Sequence, residues 1–140
     1  MKWNKKFTYP KSQREIVMGQ RHYAVDNQKL PSVTTILSQT QSEEKKQSIA
    51  RWKAKVGENE AERIMNDAAS RGTNMHLHLE RYILGQGHKD LTDEGQVAGN
   101  MAQTIIEKGL CDMSEIWGSE VTIYYPGLYA GATDLVGVFD

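Results

Sequence analysis

The stretch that decides the fold is 120–140, EVTIYYPGLYAGATDLVGVFD. Its first arm, EVTIYY, alternates in the period-two pattern of a strand. Pro126-Gly127 then supplies a turn, and TDLVGVF resumes the alternation through Leu135, Val136, Val138 and Phe139. The pattern predicts a hairpin with Glu120 at the start of one arm and Asp134 at the mouth of the apolar run in the other. A lone hairpin is marginal in water and leaves both edges open, so two closing strands by themselves make an unfinished sheet.

The residues upstream are mostly helical. Ile16, Val17, His22, Tyr23 and Val25 flank Gly19-Gln20, which predicts a small N-terminal hairpin. Ser32, directly after Pro31, is placed to cap a short helix with Val33, Ile36 and Leu37 at i, i+3 and i+4. Ile49, Trp52 and Val56 keep helical spacing over 43–56, with Gly57 as the stop. A further helix is expected over 58–69, with Ala61, Ile64, Met65 and Ala68 inward. Arg71-Gly72-Thr73 is read as an interruption, and Thr73 as the cap of a new helix over 74–84 that ends at Gly85-Gln86-Gly87. Thr92 is the expected cap of a last helix running to Lys108, with Val97, Met101, Thr104 and Ile105 on one face and Gly109 after it. Helices followed by strands define an α+β protein. We read 1–140 as one domain: a hairpin over 1–30, a helical region over 31–110 and the first core strands over 115–140.

Composition narrows the function classes. A chain of 140 residues with a net charge of -1 has the length and balance of a soluble globular domain. No apolar run reaches the roughly 18 residues of a membrane span, and MKWNKKFTYP lacks the apolar core of a signal peptide. The expected location is therefore the cytoplasm, with no membrane partner. Cys111, the single cysteine, excludes an internal disulfide and reads as a small buried hydrophobe. Neutral overall charge leaves nucleic acid open, because a cleft needs only a local positive field. Lys2, Lys5 and Lys6, and again Lys45, Lys46, Arg51, Lys53 and Lys55, form basic clusters of the kind that usually make solvated faces.

One constellation can carry chemistry. In SRGTNMHLHLERY, residues 70–82, His76 and Glu80 lie at i and i+4 on one helical face, with His78 roughly opposite. The same spacing suits a plain intrahelical pair or a satisfied histidine. Asp134 behind Gly131 is equally compatible with turn chemistry before a strand. Taken together, Glu120 and Asp134 on a hairpin and His76 on a helix would offer two hard oxygen ligands and one imidazole, a set that Mg²⁺ or Mn²⁺ accepts.

The order PSVTTIL, RGTNMHLHLE, SEVTIYY, YAGATDLVGVF resembles the RecB-like exonuclease branch of the PD-(D/E)XK nuclease superfamily, especially its phage and mitochondrial members. RGTNMH is similar to that branch's Gly-x-x-x-His helix and GATD to its Gly-x-x-Asp strand. The resemblance implies a restriction-endonuclease-like core with helices on a mainly antiparallel sheet, and metal-dependent hydrolysis of DNA phosphodiesters. It makes His76 and Asp134 the metal ligands and Glu120 a further catalytic acid, with Gly72, Glu80 and Gly131 in support. Such a protein would work in DNA end processing, recombination or replication, in the host cytoplasm if phage-encoded. Expected DNA contacts come from Lys45, Lys46, Arg51, Lys53, Lys55, Arg71 and Thr73, with Ser32, Thr34 and Thr35 as neutral donors at a helix start. Trp52 is expected in the core and not against a base. In that branch a further strand ending in Asp/Glu-x-Lys completes the site. Its absence after Asp140 leads us to expect a C-terminally incomplete core, an inactive fragment of a longer nuclease, and self-association through unpaired strand edges. The alternative is a binding module for nucleic acid without catalysis.

Overall fold

A computed structural model describes residues 1–140. The chain is α+β, with four helices and two three-stranded sheets, and it divides into two compact units.

The strand-rich unit comprises Lys2–Ser42 and Ser114–Phe139. After the short strand β1, Lys2–Trp3, its first sheet is the antiparallel meander β2-β3-β4, where β2 is Ser12–Val17, β3 Gln20–Val25 and β4 Gln28–Pro31. Both of its turns are two-residue loops with left-handed backbone at each position: Met18 and Gly19 at φ 52° and 77°, Asp26 and Asn27 at φ 49° and 59°. That geometry matches the twist of antiparallel strands. The first turn is centred one residue earlier than the Gly19-Gln20 expected. The second turn and β4 went unforeseen, because Asp26-Asn27 lacks the glycine that usually marks such a loop.

Ser32 ends the meander and caps α1, Val33–Gln39, as expected. The second sheet has the order β1-β5-β6, where β5 is Met113–Tyr125 and β6 is Tyr129–Phe139. The hairpin read from the sequence is thus present, with both arms longer than the alternation alone suggested. β1 runs parallel to β5, pairing Lys2 with Glu115 and Trp3 with Ile116. A parallel bridge between Ser32 and Ala130 ties the meander to β6. Tyr23, Val25, Leu30 and Ala130 bury their side chains together, and Tyr124 packs against them. Polar ties reinforce this core: the Tyr124 hydroxyl donates to Asp26, and the Gly127 amide donates to the Gln28 side-chain carbonyl. Gly118 is required where it is, since a Cβ there would stand 2.9 Å from the Tyr9 ring.

The helical unit comprises Glu43–Met113 together with the two terminal residues. α2, Glu43–Val56, and α4, Asp93–Lys108, have the expected bounds, the latter capped by the Thr92 hydroxyl accepting from the Gly95 amide. The middle helix differs. α3 is one uninterrupted helix, Glu58–Ile83, 26 residues long. Thr73 is no cap, because its hydroxyl donates to the Ala69 carbonyl one turn back. An interior glycine costs only about 1 kcal/mol, too little for Gly72 to end a helix that neighbouring turns propagate. The buried faces also differ from expectation. Ala61 is buried as expected, whereas Ile64, Met65 and Ala68 are exposed. On α4 the inward residues are Gly95, Ala98 and Ala102, while Val97 and Met101 face solvent. Small side chains line this contact, and apolar periodicity alone did not select them. Cys111 is exposed and not buried.

Candidate active site

The site begins with the backbone of β5 and β6. Glu120 has φ 51°, a left-handed conformation inside a strand of 13 residues. For a residue with a side chain this conformation is strained by about 1–2 kcal/mol. It breaks the regular pleat where Glu120 would otherwise follow the parity of the buried Ile116, Gly118 and Thr122, and its carboxylate is exposed. On β6, the fully buried Ala130 anchors the strand, Gly131 passes close to Val33, and Asp134 emerges four residues after the anchor. A Cβ on Gly131 would lie 3.2 Å from a Val33 methyl, so the glycine lets α1 approach β6.

These two strands bring carboxylate oxygens of Glu120 and Asp134 within 4.8 Å of one another. Both residues line a cavity of about 430 Å³ shared with Arg14, Arg21, Tyr23, Ser32, Thr34 and Tyr129. Ser32 is 2% exposed, and its hydroxyl is spent on the cap: it accepts from the Thr35 amide at 3.0 Å and donates to the Thr35 hydroxyl at 2.9 Å. Thr35 in turn donates to the Arg21 carbonyl at 2.9 Å. Ser32 and Thr35 therefore hold the wall in place, and Thr34 is the threonine of this helix start that faces the cavity.

The remaining expected residues belong to the helical unit. His76 is exposed on α3, with Glu80 one turn further and partly buried. A Cβ at Gly72 would meet nothing within 4 Å, so space does not explain that glycine. Arg71 lines a second, acidic cavity with Asp67, Asp93 and Glu94. Arg51 and Lys55 are exposed on α2, as are Lys45 and Lys46, and Lys46 reaches Glu43 at 3.5 Å. Trp52 is half-buried.

Two features were missed from the sequence. Arg14 and Arg21 share the carboxylate cavity, and only strand register reveals this. His78 and His88 meet edge to face, with ring centroids 4.4 Å apart, and Nε2 of His78 is buried without a hydrogen-bond partner. Desolvation, followed by the positive charges of His78 and Arg81, holds His88 below its ordinary value, while Asp90 opposes the shift. Asp90 itself is held low, chiefly by hydrogen bonds from the Thr92 hydroxyl and amide.

No family model, no curated protein and no solved structure matches this chain.

Proposed function

We propose that the protein is a divalent-metal-dependent deoxyribonuclease, or the portion of one that carries its first metal ligands. The observation that carries this reading is the Glu120–Asp134 pair, two carboxylates from neighbouring strands within 4.8 Å on one cavity wall. Oxygens bound to one octahedral Mg²⁺ at about 2.1 Å stand roughly 3 Å apart when adjacent and roughly 4 Å when opposite, so small side-chain rotations bring this pair onto a single ion. Like charges held this close favour a cation. A strained backbone at one of the pair adds weight, because left-handed residues with side chains concentrate where a site needs them.

Bound Mg²⁺ or Mn²⁺ would polarise a phosphodiester and lower the pKa of the attacking water. Glu120 and Asp134 would hold the ion in the cavity that Tyr23, Val33 and Tyr129 also line.

Mn²⁺ titration followed by electron paramagnetic resonance tests the proposal. One bound ion per chain is expected, with affinity falling at least tenfold in Glu120→Gln and in Asp134→Asn. The same substitutions should abolish metal-dependent degradation of linear DNA. Undiminished Mn²⁺ binding in both variants overturns the assignment.

A further inference from the structure

The β2-β3 register places two arginines where no motif pointed. Arg14 pairs with Tyr23, and Ile16 pairs with Arg21. Residues two apart on a strand share a face, so Arg14, Ile16, Arg21 and Tyr23 all lie on one side of the meander. Arg14 and Arg21 are diagonal neighbours on that side, a separation of roughly 7–8 Å that long side chains span. Both reach the cavity that holds Glu120 and Asp134.

Neither guanidinium is in a salt bridge, although the cavity holds two carboxylates. The acids elsewhere on the meander are used differently: Glu15 pairs with Lys29 at 3.1 Å, and Asp26 accepts from Tyr124. Arg21 also has a fixed base. Its carbonyl accepts from the Ser32 amide and from the Thr35 hydroxyl, so the strand beneath its side chain is pinned to the helix cap. Two forked cations and a carboxylate pair thus line one cavity, a division between donors for an anion and acceptors for a cation. That division matches a phosphodiester, whose non-bridging oxygens accept paired N–H donors from arginine.

The geometry points to Arg14 and Arg21 as positioning residues that grip a backbone phosphate of a nucleic-acid strand beside the carboxylate pair. The inference rests on the reading of that cavity as a phosphodiester site, and it assigns the substrate contacts to the N-terminal meander in place of the basic face of α2.

The test is fluorescence anisotropy of a fluorescein-labelled oligothymidine, and of a duplex of the same length, with the 140-residue chain at several KCl concentrations in EDTA. We expect binding by the wild type, and about tenfold weaker binding in Arg14→Ala and in Arg21→Ala, the effect of losing one charge-assisted contact. The slope of log affinity against log salt should shrink by about 0.7 per arginine for the single strand. Arg21→Lys should restore the slope while recovering affinity only in part, because lysine keeps the charge and loses the fork. Lys108→Ala, at an exposed lysine of α4, should leave binding unchanged. Circular dichroism separates these effects from unfolding, and exposed Arg14 serves as the variant that leaves the core intact. Wild-type affinity and slope in both arginine variants overturn the inference, as does a wild type that binds neither oligonucleotide. Failure is also distinguishable from failure of the metal assignment: loss of DNA binding in the arginine variants with Mn²⁺ binding unaffected by Glu120→Gln and Asp134→Asn sinks only the latter.

Discussion

The two units treat their ionisable groups differently. In the helical unit several of these groups are satisfied by partners close in sequence. Arg63 reaches Glu60 at i−3 and Asp67 at i+4, Asp90 accepts from Thr92, and Gln103 donates to Glu107. In the strand-rich unit, residues far apart in the chain line one cavity. Glu120 and Asp134 come from opposite arms of a hairpin, and Arg14 and Arg21 join them from a meander about a hundred residues earlier. Pairs at helical spacing follow from helix geometry alone and say little about ligands. Charges assembled by topology, with one backbone position strained to present them, depend instead on turns and strand register.

The largest expected effect breaks the strand-rich unit itself. Ile116, 1% exposed, is the largest fully buried side chain and sits where β5 meets β1. Ile116→Ala should lower unfolding free energy by about 3 kcal/mol, through lost burial and the cavity left behind. Urea unfolding measures it. If the contrast between units is sound, Mn²⁺ binding by the fraction still folded should keep the wild-type stoichiometry.

A smaller effect sharpens the contrast by separating stability from function at one residue. Glu120→Gly removes the left-handed strain at φ 51°. The gain is offset in part by the greater freedom of glycine in the unfolded chain, so stability should rise by at most about 1 kcal/mol. Mn²⁺ binding should nevertheless fall. A variant that is less stable would show that Glu120 is held by its contacts and not strained for a ligand.

The smallest effect belongs to the helical unit and follows pH. His88 titrates below its ordinary 6.5 and Asp90 below its ordinary 3.8. With both folded-state values depressed, the unfolded chain binds more protons through each window, so stability rises with pH there. The contribution of His88 is complete above about 6.5 and is lost as pH falls below it; that of Asp90 is lost below about 3.8. Melting temperatures between pH 7.5 and 5 should drop modestly in the wild type, and His88→Asn should flatten that drop. The reverse slope would contradict desolvation as the main cause.

The success of sequence reading differed between the same two regions. Helix ends were legible at Ser32, Thr92 and Gly109 because capping is a local exchange of hydrogen bonds, decided within four residues. The helix break at Gly72-Thr73 was misread for a related reason. Glycine and threonine weaken a helix locally, but continuation depends on cooperativity over neighbouring turns. On α3 Ala61 is inward as read, but the larger Ile64 and Met65 are not; on α4 the inward face was misjudged because Ala98 and Ala102 carry little hydrophobic signal, and close helix approach favours small side chains over Val97 and Met101.

What the sequence by itself determined was local: the hairpin of β5 and β6, the caps, the α+β class, and Glu120 and Asp134 as acids on adjacent arms. Alternation and capping are set by neighbours along the chain, so they are readable without coordinates. Only the tertiary structure decided that these acids share a cavity with Arg14 and Arg21. That depends on two left-handed turns, on the Ser32–Ala130 bridge and on strand register, where a slip of one residue would turn every side chain to the opposite face.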